Sequence, residues 1–98
     1  MALEVEKSAD EIRIKPSGEF DSAVQKEFRD AYKNEAPGRR YVVDMVRVTF
    51  ISSAALGILL LLREHAGGDK SDITIVNTSP VIRKLLEVTR FGEIFKIS

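Results

Sequence analysis

From Val48 to Leu62 the chain reads VTFISSAALGILLLL, fifteen residues without a charge, closed by Arg47 on one side and Arg63 on the other. That run is shorter than the roughly 18–20 apolar residues that span a bilayer, so its place is in the core of a folded unit. Two adjacent serines, Ser52 and Ser53, interrupt it. A strand ends near Phe50 and Ile51, and a helix begins at the serines. Both hydroxyls then sit beside unpaired amides at the positive end of a helix dipole. A phosphate there gains favourable contacts and changes the surface offered to a partner.

With 98 residues the chain is long enough for one compact unit and too short for two ordinary ones, so residues 1–98 are read as a single domain. Fifteen basic side chains balance fifteen acidic ones, which gives no electrostatic case for nucleic acid or for an anionic lipid surface. There is no cysteine, which excludes disulfides, thiolate zinc sites and thiol catalysis. The start, Met1-Ala2-Leu3-Glu4-Val5-Glu6, is acidic and alternating, unlike a secretory signal, and a cytoplasmic protein is expected.

Leu3 and Val5 alternate with Glu4 and Glu6, and Ile12 and Ile14 with Glu11, Arg13 and Lys15, predicting two half-buried strands around a Ser8-Ala9-Asp10 turn. Pro16-Ser17-Gly18 is expected to break the second strand or mark an exposed edge. From Ser22 the period becomes helical through Val24, Phe28, Ala31 and Tyr32, with Ser22 and Gln25 spaced as a capping box. Tyr41–Met45 reads as a central strand and Ile73–Val76 as another. The serine helix runs to about Ala66 before Gly67-Gly68. Ser79 and Pro80 predict a capped helix start, with Val81, Ile82, Leu85, Leu86 and Thr89 along one side, and Ile94–Ile97 forms a last strand. Strands alternating with helices predict an α/β sheet with right-handed crossovers.

The serine helix has more apolar residues than one buried face requires. Leu56, Leu59 and Leu60 make one stripe, Ala55, Ile58 and Leu62 a second, and Leu61 points elsewhere. Either the helix is sandwiched, or part of it is an exposed partner surface. One serine can act as N-cap; if Ser52 caps, Ser53 lies in the first turn with its hydroxyl outward. A hydrolytic serine is disfavoured, because the single histidine, His65, falls about 18 Å along the same helix, outside hydrogen-bond reach. Its place in the last turn suits the helix dipole. Gly67-Gly68-Asp69-Lys70-Ser71 lacks phosphate-loop spacing and is a turn. Asp44, Asp69 and Asp72 show no metal-ligand spacing, and no metal or cofactor is expected. Arg83, Glu87 and Arg90 read as a solvated helix face.

Four stretches resemble the STAS domain of bacterial anti-sigma factor antagonists. Gly18-Glu19-Phe20-Asp21 is similar to the family's G-x-L-D, and Tyr41-Val42-Val43-Asp44-Met45 to its V-x-L-D-L strand. Phe50-Ile51-Ser52-Ser53-Ala54-Ala55-Leu56-Gly57 matches F-I-D-S-S-G-L-G at Phe50, Ile51, Ser53, Leu56 and Gly57. Ser79–Thr89 resembles the S-P-x-V-R-R-x-L-E-L-T helix. The resemblance implies a STAS (SpoIIAA-like) fold, a mixed four- to five-stranded sheet with helices mainly on one face. It implies a non-enzymatic antagonist that binds an anti-sigma factor acting as a serine kinase, and a PP2C-type phosphatase that resets the switch. Ser53 is then the phosphoacceptor, with Ser52 the second candidate. Asp21, Ser52, Ser53, Ala54, Ala55, Leu56 and Ile58 are the implied partner-binding residues, on a monomer or weak dimer. The chain departs from the signature where Ser52 replaces its aspartate, Ala54 its second serine and Ala55 its glycine. The missing aspartate removes a charge and a hydrogen-bonding group beside Ser53. A second role on the same fold is an accessory subunit that binds the ATPase of a membrane transporter without phosphorylation.

Overall fold

The computed structural model describes residues 3–98. The alternating amino-terminal segments pair as the period of two predicts. β1 (Leu3–Lys7) runs antiparallel to β2 (Ile12–Phe20), with Leu3 opposite Pro16 and Lys7 opposite Ile12. In the turn between them the Ser8 hydroxyl accepts from the amides of Asp10 (3.3 Å) and Glu11 (3.1 Å). β2 is longer than expected, since Pro16-Ser17-Gly18 does not end it. Residues 12–14 pair in parallel with β3 (Arg40–Asp44) and residues 17–20 in parallel with β4 (Arg47–Ile51). Pro16 falls between these two parallel ladders, where its missing N–H is not called on. Gly18, at φ +68°, flanks the register shift that fits β4 to β2.

β5 (Asp72–Val76) and β6 (Lys96–Ile97) continue the sheet beyond β3, giving the order β1-β2-β3-β5-β6 with β4 attached to β2. The mixed sheet thus has six strands rather than four or five. The Met45–Val46 step divides β3 from β4, with the Val48 amide bonding back to the Met45 carbonyl at 3.0 Å. The last strand is only Lys96–Ile97 rather than Ile94–Ile97. Residues Phe91–Glu93 instead form a 3-10 turn whose Phe91 stacks on Phe95, ring centroids 5.4 Å apart, in the core.

The helices are α1 (Gln25–Tyr32), α2 (Ser53–Ala66) and α3 (Pro80–Val88). The entry to α1 differs from the expected capping box. Asp21 is the cap, its carboxylate accepting from the Ala23 amide at 2.9 Å, and Ser22 lies inside a 3-10 turn that leads into Gln25. A residue already within the turn cannot cap it. α2 stops at Gly67, whose φ of +124° only glycine adopts readily. α3 starts as predicted, the Ser79 hydroxyl accepting from the Ile82 amide at 3.3 Å with Pro80 in the first position. Its expected five-residue stripe is split, however: Ile82 and Leu86 are buried, Leu85 is half-buried, and Val81 and Thr89 are exposed. Thr89 instead donates its hydroxyl to the Leu85 carbonyl at 2.9 Å, closing the helix end.

One core gathers these pieces. Ile12, Ile14, Tyr41, Val43, Ile73 and Ile75 cover one sheet face, and Phe20 and Phe28 stack at 5.5 Å beside them. Ala55, Ile58, Leu59 and Leu62 of α2 and Ile82 and Leu86 of α3 complete it. The opposite sheet face is held by charges that pair with one another, Lys15 with Glu6 at 3.2 Å and both Arg40 and Lys96 with Asp72 at 3.0 Å. Such a face is stable in water and leaves the helices on the other side.

Candidate functional site

The serine junction forms where the long β2 meets the strand that feeds α2. Phe20 pairs with Ile51 in the ladder, and the Ser52 amide donates to the Phe20 carbonyl at 3.1 Å. That bond holds the start of α2 against the end of β2, the residue before Asp21. Ser52 stands at the N-cap with extended backbone, φ −95° and ψ 171°. Its hydroxyl does not cap: it is buried and has no hydrogen-bond partner. Ser53 is the first helical residue and is exposed. Around it, the first turn of α2 contains no acidic side chain, and the Ser52 carbonyl takes only the Ala55 amide at 3.0 Å among the turn's non-helical bonds. No acidic side chain of the helix's own first turn offsets the positive end of its dipole, and an exposed serine stands there.

The exposed face of α2 runs from this hydroxyl. Ser53, Ala54, Gly57, Leu60, Leu61 and Glu64 lie on it at helical spacing, with Leu60 41% and Leu61 52% exposed. Two residues expected on the partner surface are not available to a partner. Ala55 and Ile58 are buried at 0% and 4% exposure, because they share the helix side that packs on the sheet. Leu56 is half-buried, at the boundary. Gly57, Leu60 and Leu61 are the exposed residues of this stretch instead. Gly57 could have been singled out from sequence: a glycine in the middle of a helix costs about 1 kcal/mol relative to alanine. A Cβ there would meet nothing within 4 Å, so no internal packing requires the glycine.

Asp44 at the end of β3 is buried and organises two neighbouring segments. It accepts from Asn77 Nδ2 at 2.9 Å, the Val46 amide at 3.1 Å and Arg13 Nη1 at 3.0 Å. Burial raises its pKa, but the bonds from Asn77, Val46 and Arg13 outweigh burial and hold the carboxyl below its ordinary value. Asn77, at φ +58°, is thereby fixed in the left-handed conformation that turns β5 toward α3. Asp44 is a scaffold residue that fixes the step from β3 to β4 and the turn from β5 to α3.

His65 belongs to the other end of α2. Its Nε2 lies 2.8 Å from the Glu35 carbonyl, and its ring packs on Tyr32 with centroids 4.9 Å apart. It ties α2 to the end of α1 and does not reach Ser53. Beneath it, burial and the Glu35 charge push the Tyr41 hydroxyl up to about 12. Among the described residues no group of His, Asp and Glu side chains is arranged to hold a metal ion. No helix among them is long and apolar enough to cross a membrane.

A mixed sheet with helices on one face, an exposed serine at the first position of α2 and an acidic residue just after the end of β2 define a STAS domain. The family model described as "Mlab, STAS domain" matches residues 3–97, and the chain belongs to that family. It is 48% identical to the STAS-domain containing protein PA14_20770 of Pseudomonas aeruginosa over the full length of both chains. It is also 29% identical to the putative anti-sigma factor antagonist BtrV of Bordetella bronchiseptica, over 79% of this chain and 66% of that one. The solved structure of the anti-sigma factor antagonist SpoIIAA in its unphosphorylated form superposes with a TM-score of 0.80 at 20% identity, covering 99% of this chain and 88% of that one. A likeness at that identity speaks for the fold.

Proposed function

We propose that the protein is an anti-sigma factor antagonist of the cytoplasm that carries no catalytic activity of its own. In its unmodified form it binds an anti-sigma factor of the serine-kinase type through the exposed face of α2, and phosphorylation of Ser53 weakens the contact. A PP2C-type phosphatase restores binding. The observation that carries this reading is the accessible Ser53 hydroxyl at the head of a face made of Ala54, Gly57, Leu60 and Leu61. Leucines left in water and a glycine that no internal packing requires are features of a surface that another protein covers closely. The names of SpoIIAA and BtrV support the same direction.

The electrostatics of the switch follow from the helix start. A phosphate adds close to two negative charges at neutral pH. The amide pole of α2 accommodates them, so the domain keeps its fold. Docking then has to strip water from a dianion, and affinity falls. Ser52, with its hydroxyl buried, is the poorer acceptor of the two.

The test is to incubate the purified protein with ATP and each serine-kinase anti-sigma factor of its own cell, locate phosphate by mass spectrometry, and titrate binding by calorimetry. Phosphate on Ser53 and at least a tenfold loss of affinity in Ser53→Asp are expected. A kinase that binds without modifying either serine, or a Ser53→Asp variant that binds as the unmodified protein does, would refute the switch. Stable association with a transporter ATPase regardless of Ser53 would replace it with the accessory-subunit role.

A further inference from the structure

Strand β1 lies at the edge of the sheet and pairs with β2 alone. Across the turn between them the Ser8 amide donates to the Glu11 carbonyl at 2.9 Å, which fixes the parity of the hairpin. Backbone groups alternate in direction along a strand. Glu4 and Glu6 therefore turn theirs toward β2, while Leu3, Val5 and Lys7 turn their amides and carbonyls outward. Pro16 agrees with this parity, since it stands opposite Leu3, where β1 asks for no N–H. Among the described residues nothing takes up the outward amides of Val5 and Lys7. Beside this edge an open groove of about 650 Å³ runs between β1 and α1, and Leu3, Val5 and Ala31 are its apolar lining.

We propose that β1 is a docking site for an extended basic segment of a protein partner, which adds to the sheet as a further strand. The hydrogen-bonding groups select the extended form. They recur at every second residue, about 7 Å apart, a spacing that another strand matches and that a helix, with its own groups already paired, does not. Charge selects the sign. Glu4, Glu6, Glu27 and Asp30 line the groove against the single cation Lys7, which is itself paired with Glu35 at 2.9 Å. Glu4 and Glu6 each touch one cation of a neighbouring strand, yet their side chains remain 55% and 61% exposed. On α1, Asp30 is paired with Lys33 at 3.0 Å and Glu27 with no cation among the described residues.

The same glutamates exclude a second copy of this chain. Antiparallel pairing through the outward groups sets residues of like parity opposite each other. Every register that overlaps three residues or more of β1 then places Glu4 opposite Glu4 or Glu6, or Glu6 opposite Glu6, and like charges directly opposite are destabilising. Lysine or arginine at alternate positions of the occupant instead meets Glu4 and Glu6 on the open sheet face. The aliphatic residues between them enter the groove over Val5. The site lies on β1 and α1, so it stands whether or not Ser53 is modified.

The probe is a nine-residue peptide alternating lysine and valine, titrated into the isotopically labelled full-length protein and followed by two-dimensional amide NMR. Saturable shifts centred on Leu3–Lys7 and Ala31 are expected, with at least fivefold slower hydrogen exchange of the Val5 and Lys7 amides at saturation. A matched peptide with glutamates for lysines should bind at least fivefold more weakly. The lysine peptide N-methylated along its backbone, which has no amide to donate, should bind at least tenfold more weakly. The doubly substituted Glu4→Lys, Glu6→Lys protein should prefer the glutamate peptide, a reversal that an unfolded chain would not give. The proposal is overturned by no shifts at millimolar peptide, by equal binding of the glutamate or the N-methylated peptide, or by an unreversed preference in the double variant. Shifts centred on Leu60 and Leu61 of α2, or concentration-dependent self-association through β1, overturn it equally.

Discussion

Replacing Ser52 separates two descriptions of the helix start that differ by a measurable amount. A serine whose hydroxyl caps a helix contributes about 1 kcal/mol, within a range of roughly 0.5–2, and loses it on substitution by alanine. Here the hydroxyl is buried without a partner, and a buried unsatisfied polar group costs about 1–3 kcal/mol relative to a satisfied one. Ser52→Ala is therefore expected to be neutral or stabilising by up to about 1 kcal/mol. In a domain of this size 1 kcal/mol moves the thermal midpoint by about 4–8 °C. Ser52→Asp should do more. Its longer side chain can reach the first-turn amides, adding a cap of about 1 kcal/mol. Its charge sits on the positive helix pole, worth a further 0.3–1 kcal/mol or so. Thermal melts followed by circular dichroism, with urea titrations alongside, read both variants. The aspartate is held charged by the helix start, so its folded pKa is lowered. Its extra stability should be complete above the ordinary carboxylate value and vanish as pH falls through the folded one. A loss of 1 kcal/mol or more in Ser52→Ala would show that the hydroxyl caps α2 after all and would refute the reasoning.

Two further substitutions test the surroundings. Asp44→Ala leaves three donors without their carboxylate, and with Arg13 able to rehydrate the cost should be about 2–4 kcal/mol by urea denaturation. Because the Asp44 pKa is lowered by folding, the gap between wild type and Asp44→Asn should be full near neutral pH and close as pH falls below the ordinary carboxylate range; a gap that stays constant would assign the effect to packing. Gly57→Ala should raise stability by about 0.5–1 kcal/mol, since a methyl there meets open space, and should weaken capture of the anti-sigma factor. A stabilised variant that binds unchanged would remove Gly57 from the docking face.

Much of this architecture is written locally. The alternation around Ile14, the Ser79-Pro80 start and the Gly67 stop each depend on a few neighbouring residues, and each is found where local rules place it; β1 forms, but it buries Leu3 and leaves Val5 exposed at the sheet edge. The misplacements arise where a distant segment decides. Pro16 remains within β2 because β2 exchanges one parallel neighbour for another at that point. Asp21 caps in place of Ser22, and only the geometry of the turn after Phe20 distinguishes two adjacent capping residues. Ala55 and Ile58 carry no local mark that separates them from Leu60 and Leu61, since all four lie in one apolar run; which of them faces the sheet is fixed by the bond from Ser52 to Phe20 that sets the rotation of α2.

Under the proposed switch, that same bond lets a partner read a modification at this junction without remodelling of the domain. The Ser52 amide is tied to the Phe20 carbonyl and Ala55 is packed in the core, so the residues on either side of Ser53 are held by contacts a phosphate does not touch. Ser53 itself is exposed. A charge added there finds the unpaired amides of α2, a site that favours anions, while the leucines one and two turns on remain as they were. Under the proposed switch the fold rests on Phe20, Ala55 and Ile58 in the interior, while Ser53 and Leu61 lie exposed on the face offered to a partner. A switch built this way would change what binding costs more than what the protein looks like: the modified chain is expected to melt at or a few degrees above the unmodified one while binding its partner more weakly.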